Sequence, residues 1–168
     1  LASDLAPHAA QGLPPTSPSA LQSALLSAPL AALPLNGFTA VTAGIFNTCA
    51  LNMNGGVLCW GNNFGGQLGD GTRTSRLTPV PVAGLSLGVR ELAAGSMHTC
   101  ALNKAGAVFC WGNNGFGQVG MAVPASESLF PTPIGGLTGG VQAIAAGENH
   151  TCALTRAGAV FCWGNNGA

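Results

Sequence analysis

Apolar residues in this chain fall in short runs rich in Val, Ile, Leu, Phe, Trp and Thr, and each run is closed by Gly, Asn or Pro. That punctuation predicts short antiparallel strands joined by tight turns. The runs also recur. CALNKAGAVFCWGNN at residues 100–114 returns as CALTRAGAVFCWGNN at 152–166 and, more loosely, as CALNMNGGVLCWGNN at 49–63. With two upstream residues included, the second and third copies agree at 15 of 17 positions and the first and second at 12 of 17. Trp60, Trp111 and Trp163 set the period at 51 and then 52 residues. A period near 50 points to a solenoid, a propeller or an array.

Each unit holds more than this core. An apolar run ending in Ala-Gly precedes it, at residues 41–44, 89–95 and 141–147. Gly66-Gln67-Leu68-Gly69 and Gly117-Gln118-Val119-Gly120 follow it, and then the proline-flanked runs Pro79-Val80-Pro81-Val82 and Pro131-Thr132-Pro133-Ile134. The unit is therefore a small meander of three or four strands. If the two cysteines of each copy face each other, Leu102 faces Val108, and Lys104, Ala105 and Gly106 form the hairpin loop. The third loop residue is glycine in every copy (Gly55, Gly106 and Gly158), as a three-residue loop with a left-handed position requires. Alternation then places Cys100, Leu102, Val108 and Cys110 on one face and Ala101, Phe109 and Trp111 on the other. Both faces are apolar, so the sheet must be covered on both sides, as a propeller blade is by its neighbours.

Composition sharpens this picture. Charged residues make up 6% of the chain, five basic against five acidic, where roughly 25% is usual. A nucleic-acid binder is expected to show a basic patch, and none is visible. The apolar content of 47% is too high for ordinary disorder.

The six cysteines, Cys49 with Cys59, Cys100 with Cys110 and Cys152 with Cys162, are either three hairpin disulfides or repeated buried thiols. Facing one another three times favours disulfides, each closing an eleven-residue loop for about 2.5–3 kcal/mol. That in turn predicts a secreted, periplasmic or cell-surface location.

Residues 1–36 differ in kind. Six of the eleven prolines lie there, among Ala, Ser and Leu. The segment reads as a spacer or leader-proximal linker, with no run long and apolar enough to span a membrane. Residues 37–168 hold the repeats: the first at about 38–88, the second at about 89–140 and a partial third at about 141–168.

Ala-Gly, two residues, His-Thr-Cys-Ala-Leu, then Gly-x-Val-x-Cys-Trp-Gly-x-Asn and Gly-Gln-Leu-Gly resembles the repeat of the regulator of chromosome condensation family. The resemblance covers residues 38–168. It implies an all-β fold of four-stranded propeller blades, seven to a ring. The two and a half repeats seen here would then be a fragment that needs the rest of the propeller, or self-association, to close. Members of that family include a chromatin-bound nucleotide-exchange factor and secreted bacterial proteins, one of them a β-lactamase inhibitor. The paired cysteines and low charge resemble the bacterial members. The surface segments behind the chromatin and exchange roles have no match in this chain.

Candidate chemistry is sparse. His98 and His150 each stand two residues before a cysteine, but Asn47 takes that place in the first repeat, and Asn replaces a hydrogen-bonding His more readily than a metal ligand. Asp4, Asp70, Glu91, Glu127 and Glu148 form no repeated pair for acid–base catalysis. Asp70-Gly71-Thr72 is a faint calcium-loop pattern that the second repeat lacks, and the glycines at 65–71 precede no helix, so they cradle no phosphate. Trp60, Trp111 and Trp163 form either a sugar-stacking ladder or, as a tryptophan fixed at one point of every repeat favours, packing between blades. No cofactor is expected.

These readings converge on a non-catalytic extracellular scaffold that binds an unidentified protein through variable loops at residues 63–76 and 114–128, and less so through the tips at 53–54 and 104–105. A structural or adhesion module of a larger surface protein is the alternative, as is a propeller accompanying an enzyme domain elsewhere.

Overall fold

The computed structural model describes residues 37–121 and 125–167. The spacer read at residues 1–36 lies outside the described residues. The described residues form eleven strands: β1 (Phe38–Ala43), β2 (Asn47–Asn52), β3 (Val57–Gly61), β4 (Arg76–Pro81), β5 (Val89–Ala94), β6 (His98–Asn103), β7 (Val108–Asn113), β8 (Glu127–Pro133), β9 (Val141–Ala146), β10 (His150–Thr155) and β11 (Val160–Gly164). They form three antiparallel meanders, β1-β2-β3-β4, β5-β6-β7-β8 and the three-stranded β9-β10-β11. Each repeat is one sheet. The proline-flanked runs become β4 and β8, the last strands of their sheets, where Pro79, Pro81, Pro131 and Pro133 need no ladder partner on their outer side.

The central hairpins have the register expected from the cysteines. Cys49 pairs with Cys59, Cys100 with Cys110 and Cys152 with Cys162. In the second hairpin Asn103 N–H donates to Ala107 O at 3.0 Å, Gly106 N–H donates to Asn103 O at 3.0 Å, and Gly106 has φ +86°. Asn103 Oδ1 also accepts from Ala107 N–H at 2.9 Å, and Asn52 Oδ1 does the same for Gly56 N–H at 2.8 Å. The tip glycine has a second task. Val89 N–H, opening the second sheet, donates to Gly55 O at 3.0 Å, and a Cβ on Gly55 would lie 2.6 Å from Gly88 N. A side chain at the tip would therefore push the next sheet away.

The two faces of the second sheet enter two separate cores. Ala101 and Trp111 pack with Cys49, Leu51, Val57, Cys59, Leu68 and Val82 of the first repeat. Cys100, Leu102, Val108 and Cys110 pack with Val141, Ile144, Ala153 and Trp163 of the third. A sheet apolar on both faces is thus sandwiched, and Cys100, Ala101, Leu102, Val108, Cys110 and Trp111 lose all contact with water, whereas Phe109, expected on the covered face with Trp111, is only half-buried. At roughly 1.5–3 kcal/mol for each large apolar side chain fully buried, this packing between sheets is the main source of stability.

Candidate partner-binding surface

The strand that ends in Trp-Gly-Asn-Asn leads into a loop that the two asparagines organise. Asn62 Oδ1 accepts from Gln67 Nε2 at 2.8 Å, and Asn63 Oδ1 accepts from Leu68 N–H at 2.9 Å. The second repeat reproduces both bonds, from Gln118 Nε2 to Asn113 Oδ1 at 2.9 Å and from Val119 N–H to Asn114 Oδ1 at 3.0 Å. Leu68 and Val119 are thereby driven into the core, with 0% of their surface exposed. The glycine-rich segment is a tie between sheets.

This fold of the loop turns the carbonyl of its glutamine toward the next sheet. Gln67 O accepts from Trp111 Nε1–H at 2.9 Å and from Thr99 Oγ1–H at 3.2 Å. Gln118 O accepts in the same way from Trp163 Nε1–H at 2.9 Å and Thr151 Oγ1–H at 3.0 Å. Trp111, covered on both sides, is fully buried, whereas Trp60 and Trp163 are half-buried. In this structure the indoles of Trp111 and Trp163 join sheets.

Asn47 and His98 close the same clamp from the other side. Asn47 Nδ2–H donates to Thr99 Oγ1 at 3.3 Å, and His98 Nε2 lies 2.9 Å from Thr151 Oγ1. Burial, and then the neighbouring His150, lower the His98 pKa from 6.5 to about 4. His150 is exposed at the start of β10. Among the described residues no group of three or more His, Cys, Asp or Glu could hold a metal ion.

All six cysteines are disulfide-bonded within their hairpins, with Cα atoms 4.1 Å apart. Cys49, Cys59, Cys100 and Cys110 are fully buried under the following sheet. Cys162 is exposed and Cys152 half-buried, beside a cleft of about 580 Å³ lined also by His150 and Trp163. Brief treatment with a mild reductant and iodoacetamide is therefore expected to label Cys152 and Cys162 first, read by peptide mass spectrometry. Equal labelling of all three pairs would contradict this packing.

In the first repeat only, the loop is further stapled through Asp70. Its Oδ1 accepts from Thr72 Oγ1–H at 2.7 Å, Thr72 N–H at 2.9 Å and Asn63 Nδ2–H at 3.1 Å, and Arg76 Nη2 lies 3.0 Å from its Oδ2. Partial burial alone would raise the Asp70 pKa. The bonds from Thr72, Arg76 and Asn63 outweigh it and hold the carboxyl below its ordinary 3.8. The loop then reaches the second sheet, where Gly71 N–H donates to Leu129 O at 3.1 Å and Arg73 pairs with Glu127.

These loops share one end of the sheets with the turns between the first two strands of each repeat. Asn62 N–H donates to Phe46 O and Asn113 N–H to Met97 O, both at 2.8 Å. Exposed on this end are Ile45 (59%), Phe46 (57%), Phe64 (70%) and Phe116 (56%). Residues 63–76 and 114–128 were anticipated as variable loops. Residues 122–124 lie outside the described residues. The turn at Ile45 and Phe46 was not anticipated as a binding element. Its signal was present, since Ile45-Phe46, Ser96-Met97 and Glu148-Asn149 differ completely between a constant Ala-Gly and the Asn- or His-Thr-Cys that follows. Met53 and Lys104, at the hairpin tips, lie at the opposite end.

Meandering sheets packed face to face, one per tandem repeat, define the class: these are blades of a β-propeller. The profile of the regulator of chromosome condensation (RCC1) repeat matches residues 54–102 and 105–154, and a second profile of the same description matches 38–67, 89–118 and 141–168. The chain belongs to the RCC1 repeat family. It is 37% identical over 130 residues to the human probable E3 ubiquitin-protein ligase HERC4, covering 76% of this chain and 12% of that protein. It is 34% identical over 138 residues to the Arabidopsis thaliana ultraviolet-B receptor UVR8, covering 80% of this chain and 31% of that one. Human WBSCR16 superposes with a TM-score of 0.70 at 25% identity, over 78% of this chain and 34% of that one. Yeast RCC1 (Prp20), solved with Kap60 bound, gives 0.69 at 23% identity, over 76% and 32%, and shares the fold. The chain thus spans about a third or less of each. HERC4 and UVR8 here are human and plant proteins, and the bacterial character read from the sequence finds no support in them.

Proposed function

We propose that this chain is a non-catalytic scaffold that binds another protein through the loop end of its blades, in an oxidising compartment outside the cytosol. The observation that carries this reading is the contrast between the two parts of each repeat. The framework of Trp, Gln, Thr and Asn is nearly constant and rigidly hydrogen-bonded, whereas the exposed Ile45, Phe46, Phe64 and Phe116 occupy positions that change from repeat to repeat. Large apolar side chains displayed on loops of a rigid scaffold are a usual means of protein recognition. Three closed disulfides and no free cysteine support the oxidising location. Yeast RCC1 (Prp20), which shares the fold, is solved with Kap60 bound. A second reading rests on the 12% coverage of HERC4, a named ubiquitin ligase: the blades accompany an enzymatic region elsewhere in a longer chain.

The test is cross-linking capture from the source organism's extracellular fraction, run in parallel with wild type and with Phe64→Ser/Phe116→Ser. The variant is expected to retain the wild-type melting temperature, because both rings are exposed, and to lose at least tenfold in recovery of a discrete protein partner. A partner recovered equally by both would move the binding surface away from these loops.

A further inference from the structure

The two complete junctions between sheets are built alike except at one atom set. At the first junction Asn47 Nδ2–H donates to Thr99 Oγ1, which donates on to Gln67 O. At the second, Thr151 Oγ1 donates its only proton to Gln118 O at 3.0 Å. With that proton so placed, the 2.9 Å contact with Thr151 assigns the His98 proton to Nε2 and leaves Nδ1 bare. That Nδ1 is buried and has no partner. The ring packs against Gly95, where a Cβ would come within 2.1 Å of His98 Cε1 and within 2.5 Å of both His98 Nδ1 and Gly147 O. A second proton, on Nδ1, would put a positive charge on a ring shielded from water, at a nitrogen that makes no hydrogen bond.

We propose that His98 makes the junction between the second and third sheets acid-labile, so that mild acidification loosens the third sheet while the first and second stay joined. The first junction, with an amide in the same place, has nothing to protonate there.

The charged surroundings point the same way. His150 opens β10 on the facing sheet and is the second cause, after burial, of the lowered His98 pKa. Glu148 is exposed in the turn before β10. Glu91 on β5 is engaged with Ile144 N–H at 3.0 Å, and Arg90 on β5 donates to Val141 O at 3.3 Å. None of these bonds reaches His98 Nδ1. The direction of the response follows from burial. The neutral form is favoured in the closed junction, with a pKa near 4 against 6.5 when free, so the contribution is complete above pH 6.5 and lost as the pH falls toward 4. At pH 4.5 the opening equilibrium should rise roughly ten- to a hundredfold.

Two indoles report the two junctions. Trp111 Nε1–H bonds across the first and Trp163 Nε1–H across the second. Hydrogen exchange of both, followed by NMR in the whole chain at pH 7 and pH 4.5, cancels the intrinsic pH dependence when read as a ratio. The Trp163-to-Trp111 ratio is expected to rise at least tenfold on acidification in wild type and to stay flat in His98→Asn, since Asn47 shows that an amide serves this position. An unchanged ratio in wild type overturns the proposal, and so does an equal rise in His98→Asn. Should that variant not fold, the wild-type ratio alone decides.

Discussion

Trp111→Ala is expected to lower the free energy of unfolding by about 4 kcal/mol, enough to unfold the chain in much of a population at physiological temperature. The side chain is fully buried between the first and second sheets, so its removal leaves a cavity that two facing β-sheets cannot collapse into. The truncation also removes the indole N–H that Gln67 O accepts at 2.9 Å, which leaves Thr99 Oγ1–H as its remaining side-chain donor. Trp60→Ala is the control. Its repeat position is identical, but Trp60 is only half-buried, so less than half the loss is expected. Urea unfolding followed by circular dichroism compares the two. Equal losses would mean that the tryptophan stabilises its own sheet, and the description of it as a joint between sheets would be wrong.

Gly112→Ala should be comparably severe for a different reason. Gly112 has φ +102°, a conformation that an L side chain rarely adopts. A Cβ there would lie 2.5 Å from Met97 O and 2.7 Å from His98 Cα. Those are backbone atoms of the paired strand, and they cannot move aside without breaking the β6–β7 register. Strain of this kind costs about 1–3 kcal/mol before the collision is counted. Gly84→Ala isolates the conformational part, because Gly84 also has positive φ (+73°) but nothing within 4 Å of the added carbon. Gly112→Ala is expected to yield little soluble protein, and Gly84→Ala to fold with a melting temperature lower by several degrees. If the two variants melt together, close approach at Gly112 is not what the fold depends on.

The contrast between these two glycines also shows how far the sequence can be read. Gly106 was legible as a loop glycine because a hairpin is a local object, whose register follows from facing cysteines and a loop of fixed length. The covering of both faces was legible too, since alternation left no polar side on the strand through Cys100 and Leu102. Gly112 was only one glycine among 26. Its task depends on Met97, fifteen positions earlier, which closes on it only when β6 and β7 pair. Asn47 and His98 fell between these cases. Their exchange between repeats pointed to hydrogen bonding, but the partner, a threonine one full repeat downstream, could not be read from spacing. The apolar turn at Ile45 and Phe46 was visible as divergence yet carried no sign of which end of the sheet it would occupy.

What the sequence by itself determined is whatever a single repeat can specify: the hairpin register, the three cysteine pairs, the turn glycines and the need for a neighbour on each face. These are contacts within about a dozen residues, and the near-identity of the copies states them three times. Only the tertiary structure decided which groups meet across repeats. It brought Gln67 O to Trp111 and Thr99, set His98 against Thr151, buried the first two disulfides under the following sheets, and gathered Phe46, Phe64 and Phe116 at one end. The reason is geometric. A contact between stacked sheets depends on twist and on the distance from one sheet to the next, and no periodicity within the chain encodes either.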